Sequence, residues 1–128
     1  MNLERQHVSR TISTIKLNEL IVDSIKDIKG KGITKIDLTE LEDAPADFFI
    51  VCEGDSSVQI KALSDHIQKR VKQEAALVPN HVEGERSARW ILVDFFSTVV
   101  HIFFPETRGF YELEDLWSDA EITYYENP

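Results

Sequence analysis

Residues 90–106, "WILVDFFSTVVHIFFPE", constrain the fold more than any other stretch of the chain. Two apolar runs of strand length flank a short polar break around Ser97 and Thr98, the pattern of a β-hairpin. Each run is apolar on both faces, so the hairpin needs cover on two sides and belongs in the middle of a sheet. Pro105 cannot continue a central strand, and Glu106 suits the positive end of a following helix. Asp94 and His101 stand out among the hydrophobes. A two-residue turn at Ser97-Thr98 or at Phe96-Ser97 puts both on one sheet face, where the histidine can satisfy the buried carboxylate; a three-residue loop separates them. Asp94 and His101 are therefore expected to form a structural pair.

The remainder of the chain supplies the covers. Over residues 13–29, Leu17, Leu20, Ile21, Ile25 and Ile28 recur at steps of three and four, as on one face of a helix, and the "GKG" at 30–32 closes it through a glycine in the left-handed conformation. "ITKIDL" at 33–38 alternates like a half-covered strand, and "DFFIVCE" at 47–53 is more uniformly apolar, like a central one. A second amphipathic helix is expected over 57–74, with Ile60, Leu63, Ile67 and Val71 inward and Ser56 or Ser57 as N-cap. A short strand is expected near 81–83. A last helix follows Pro105, with Phe110, Leu113, Leu116 and Trp117 as its apolar stripe. The order implies one α/β domain over 1–128, a mixed sheet of four or five strands flanked by helices in two layers, with loosely ordered ends at 1–12 and 121–128.

Charge narrows the partners. The net charge is -9 with a pI near 4.8, which disfavours RNA or anionic lipid as the main source of affinity, because each phosphate contact needs a cation. A basic protein suits such a surface better, and no sequence-specific nucleic-acid contact is expected. Residues 106–128 hold seven acids against Arg108 alone, a segment sum of -6. No run is long enough to span a membrane and the N-terminal stretch lacks the apolar core of a secretory signal, so a cytoplasmic location is expected.

Catalytic patterns are weak. The four histidines are scattered with no HxxxH or HxH pair, and Cys52 is the lone cysteine, placed in a strand interior where a small buried thiol fits. Neither metal nor cofactor is expected. "GDSS" at 54–57 lies between a strand and a helix, and a later strand carries Asp94; this layout resembles that of nucleotidyltransferases, in which a Gly-Ser turn holds phosphate and two strand carboxylates hold magnesium. Here the alternate positions beside Asp94 are Leu92 and Phe96, so one acid stands where a pair is required. Not an enzyme, then, is the expectation.

Three ordered blocks carry a more specific resemblance: "ADFFIVCEGDSSVQIKALSDHI" at 46–67, "EGERSARWILVDF" at 83–95 and "VVHIFFPETRGFYELEDLW" at 99–117. Together they are similar to the ribosomal silencing factor family, also called RsfS or Iojap, over residues 17–120. Phe96 departs from the glycine that family members often have at the hairpin turn. The resemblance implies a fold similar to nucleotidyltransferases without their catalytic acids. It implies binding to ribosomal protein L-fourteen on the large ribosomal subunit, a steric block to joining of the small subunit, and lower translation when nutrients are scarce. In organelles the relatives assist large-subunit assembly, and a homodimer is plausible for the family. The blocks "RW" and "PETRGFY" hold residues a simple core does not require. Trp90 and Tyr111 are candidate partner-binding anchors, Asp94 and Glu106 face cations, and Pro105 and Arg108 complete the candidate docking surface, Arg108 by meeting an acceptor.

Overall fold

A computed structural model describes residues 13–125. Helix α1 spans Thr14–Asp27, capped by the Ser13 hydroxyl, which accepts from the Lys16 N–H; Leu17, Ile21, Val22 and Ile25 are buried. The residue that ends it in the left-handed conformation is Lys29 (φ 61°), not a glycine as expected. Gly30 is required for space instead, because a Cβ there would lie 2.4 Å from Ile25 Cγ2 while its N–H reaches the Ile25 carbonyl. Strand β1 (Lys31–Asp37) and strand β2 (Phe48–Glu53) follow, then helix α2 (Ser57–Ala75) with Ser56 as its N-cap. Strands β3 (His81–Glu83), β4 (Trp90–Asp94) and β5 (Thr98–Phe103) lead to helices α3 (Pro105–Tyr111) and α4 (Leu113–Leu116) and strand β6 (Glu121–Tyr124).

The six strands form one sheet in the order β3-β4-β5-β2-β1-β6. β2 and β5 run parallel at its centre and the other neighbours antiparallel, so the sheet is mixed as expected. β5 is buried along its whole length, in keeping with a strand apolar on both faces. α1 and α2 cover one face, where Leu17, Ile21, Ile60, Leu63 and Ile67 pack on Ile50, Ile91, Val93 and Val100. On the other face a smaller core gathers Ile36, Phe49, Val51, Val99 and Phe103 under Leu113 and Trp117.

Two expectations about the C-terminal part are corrected. Residues 121–124 are not a loose end but a sixth strand: Ile122 lies opposite Ile36 on β1 and packs against the second core, which gives an otherwise polar stretch a reason to pair. The expected looseness of 1–12 and 126–128 falls outside the described residues. The helix after Pro105 is also not continuous. Glu112 takes φ 47°, the helix breaks into α3 and α4, and Leu116 turns outward to 69% exposure while Leu113 stays buried.

Candidate functional site

Burial alternates along β4: Ile91 and Val93 are sealed beneath α2, whereas Trp90, Leu92 and Asp94 on the opposite face are each partly exposed. β3 continues that face through His81 and Glu83, both exposed, which lie opposite Asp94 and Leu92. Among the described residues, the sheet is thus left half open at its β3–β4 end. Trp90 stacks on Phe103 (4.8 Å between centroids) and meets Tyr111 of α3 at 4.6 Å, so the two candidate anchors touch at the border between bare sheet and helix. Tyr111 is 48% exposed. Pro105 occupies the first turn of α3, and Pro105 and Glu106 are exposed. The structure therefore brings together Trp90, Tyr111 and Asp94 with Leu92, His81 and Glu83. Sequence reasoning passed over the last three, although Leu92 shares the parity of Trp90 and Asp94 and was legible on that ground.

The proposed pairing of Asp94 with His101 is not formed. The turn is Phe96-Ser97, closed by Phe95 N–H to the Thr98 carbonyl, and this register sets Asp94 opposite Val99 and His101 opposite Leu92. Both residues share the face, as parity requires, but only diagonally. The Asp94 carboxylate turns back to accept from the Phe96 N–H at 2.7 Å and faces His81 at 3.4 Å. That bond holds Phe96 in the left-handed region at φ 74°, where glycine would rest without strain.

His101 is buried at 4% exposure between Phe49, Trp90 and Phe103. Its Nδ1 accepts from the Trp90 indole N–H at 3.1 Å, which places the ring proton on Nε2. Nε2 finds no partner among the described residues. Burial lowers the imidazole pKa to about 4, so the ring is neutral at physiological pH.

Arg108 also departs from expectation. Its guanidinium donates to Glu53 (2.8 Å), Glu114 (2.6 Å), the Gly32 carbonyl (2.7 Å) and Thr34 Oγ1 (3.0 Å), and its side chain is 12% exposed. Four acceptors within the chain take its donors, so it latches α3 and α4 to β1 and β2 instead of reaching outward. Gly32 is needed at this latch: it adopts φ 60°, and a Cβ would lie 2.5 Å from the guanidinium.

The nucleotidyltransferase-like layout does not assemble a site. Gly54 hydrogen-bonds to Phe103, which pairs with Trp90, while Asp94 closes the other end of β4, roughly 13 Å away along the strand. The "GDSS" turn is occupied structurally: Ser56 accepts from the Gln59 N–H, Asp55 donates its N–H to the Gln59 side chain, and Gln59 Nε2 reaches back to the Ile28 carbonyl. Cys52 is fully buried, and burial pushes its thiol up to about 12, which makes it an inert packing group. Among the described residues no cluster of His, Cys, Asp and Glu could hold a metal ion, and no helix is long and apolar enough to cross a membrane.

Fold and face together define a class: a small mixed-sheet α/β domain whose half-open sheet face is aromatic at its centre and acidic at its rim. The family model described as "Ribosomal silencing factor during starvation" matches residues 11–127. A ribosomal silencing factor from Halalkalibacterium halodurans is 36% identical over 109 residues, covering 85% of this chain and 92% of that protein. The crystal structure of a Chromobacterium violaceum protein superposes with a TM-score of 0.79 at 32% identity, over 90% of this chain and 94% of that one. A mouse protein named mitochondrial assembly of ribosomal large subunit protein 1 is 36% identical over 74 residues, 56% of this chain and 32% of its own length. The chain belongs to the ribosomal silencing factor family.

Proposed function

We infer that this protein docks its half-open sheet face on ribosomal protein L-fourteen of the large subunit, and by occupying the joining surface blocks the small subunit, lowering translation when nutrients are limiting. It acts by binding and consumes no substrate. The observation that carries the reading is the face itself. Trp90 and Leu92 stay partly bare near one edge of the sheet, with Asp94 and Glu83 beside them and Tyr111 at the helix border, and Glu106 lies exposed at the start of α3. Apolar area at the centre supplies affinity, and acids at the rim match a basic ribosomal protein and steer it. A second copy of this chain is a poorer occupant at net charge -9, since acids would meet acids.

The test is light scattering of mixed subunits. Adding the protein to large subunits before small ones should lower the association signal in proportion to occupancy. Unchanged joining at saturating occupancy rejects the block. A second reading, a role in large-subunit assembly, is favoured by the mouse relative named for that process. It predicts that cells lacking the protein accumulate incomplete large particles even in rich medium.

A further inference from the structure

The charges of this chain are segregated. Residues 14–29 and 57–79, which hold α1, α2 and the segments that leave them, carry seven cations against five acids, or +2; the rest of the chain carries seven against eighteen, or -11. Three of the five acids are already engaged, because Asp23, Asp27 and Glu74 all bond to Arg70 between the helices. Lys61, Lys69 and Lys72 lie exposed along the outer side of α2, and none makes an ion pair among the described residues. Beside Lys69 and Lys72 runs a groove of about 730 Å³ between α2 and the segment after it, lined also by the side chains of Gln68 and Gln73 and floored by Val78 and Pro79. Val78 is 57% exposed. Asp65 is the one carboxylate in the groove, and it sits one turn from both Lys61 and Lys69.

We propose that this groove on the helical side contacts the phosphate backbone of large-subunit RNA, as a second contact distinct from the sheet face. The inference rests on the reading that the protein docks on the large subunit. A ribosomal surface offers basic protein and polyanionic RNA, and the two sides of this molecule match one each. The acid-rimmed sheet suits the protein; unpaired lysines flanked by amide donors suit phosphate and ribose oxygens, with an apolar floor against the sugar. On a chain of net charge -9 such a contact is too small to bind RNA tightly alone. It fixes the angle at which the docked protein lies, which is what a steric block requires.

The test compares Lys69→Glu/Lys72→Glu with Lys16→Glu/Lys26→Glu, which makes the same change of net charge on α1. Binding to intact large subunits and to isolated L-fourteen is measured from 50 to 300 mM salt. The groove variant should lose roughly tenfold in affinity for large subunits, and its salt slope should fall by about two, one per phosphate contact, with binding to the isolated protein unchanged. Equal losses in the α1 variant, or an unaltered slope in the groove variant, overturn the proposal. The parent is also titrated with a short RNA hairpin at low salt and followed by amide NMR. Shifts at residues 68–79 support the groove even if L-fourteen binding fails. No shift there, or an equal shift with a polyglutamate peptide, overturns it.

Discussion

His101 shows how a single buried side chain ties the half-open sheet face to pH. Its folded pKa, about 4, lies below the ordinary value of 6.5, so the folded state binds fewer protons than the unfolded state between these two values. Stability linked to this group is fully present above about pH 6.5 and is lost as pH falls toward 4, to a total of about 3 kcal/mol. The second proton must enter at Nδ1, where the Trp90 N–H already points, so acidification also frees the indole at the edge of the face. Denaturant titrations at pH 7 and pH 4.5 should show that His101→Phe flattens the dependence relative to the parent; parallel profiles would remove His101 from the account. Asp27 and Glu74 titrate on the acid side too, their carboxyls lowered first by His66 and by Arg70 respectively, but they are common to both proteins and cancel in the comparison. Phe96 offers a change of opposite sign. It is 50% exposed and held at φ 74°, so Phe96→Gly should raise stability by about 1 kcal/mol, read as a higher denaturation midpoint at constant slope.

At the scale of elements, one residue decides whether α3 and α4 stay on the sheet. Arg108 joins Glu114 of α4 to Glu53 of β2 and to the backbone of β1, while Leu113 and the adjoining Trp117 pack against the second core. Arg108→Met leaves two part-buried carboxylates without their cation and should destabilise by about 3 kcal/mol. Hydrogen exchange should then quicken over 105–116 more than over α2; uniform quickening would mean that the latch is not local. This bond set was illegible in the sequence because three of its four acceptors lie 55, 74 and 76 residues away, beyond any periodicity. What could be read was local. The steps of three and four in α1 and α2, the Ser56 cap, the hairpin and the stop at Pro105 each follow from neighbouring residues, and each is where it was expected. β6 was missed because "EITY" has only Ile122 to declare it, and its pairing depends on the free edge of β1. The half-open face was legible in part. Trp90 and Tyr111 stood out by type, but the diagonal offset of Asp94 from His101 hung on which two of three residues made the turn.

For the whole molecule, the question is what a sheet with one sealed and one half-sealed face requires. α1 and α2 are long enough to cover β4, β5 and β2 on their side, whereas α3 and α4, at seven and four residues, lie over Phe103 and Phe49 on the other side and, among the described side chains, meet Trp90 through Tyr111. Trp90 and Leu92 are left at the boundary, supported from below by Phe103 and His101, so they present a rigid surface that loses little side-chain entropy on docking. Rigid aromatic anchors ringed by polar groups are where binding energy concentrates. Trp90→Ala and Tyr111→Ala should therefore each weaken binding to large subunits by roughly 2 kcal/mol or more, chiefly through faster dissociation. Glu106→Lys, at the exposed start of α3, should instead slow association, and the difference from the parent should shrink as salt is raised. Trp90→Ala also strips the His101 ring of the one hydrogen bond it makes among the described residues, so thermal melts must establish that each variant is folded before its kinetics are read. Trp90→Phe separates the two effects: it keeps the stacking on Phe103 and loses the indole N–H, and should retain most of the affinity if the ring surface is what the partner meets. Folded variants that all bind like the parent would move the docking surface off this face, leaving the acidic stretch from Glu112 to Glu121 as the place to look.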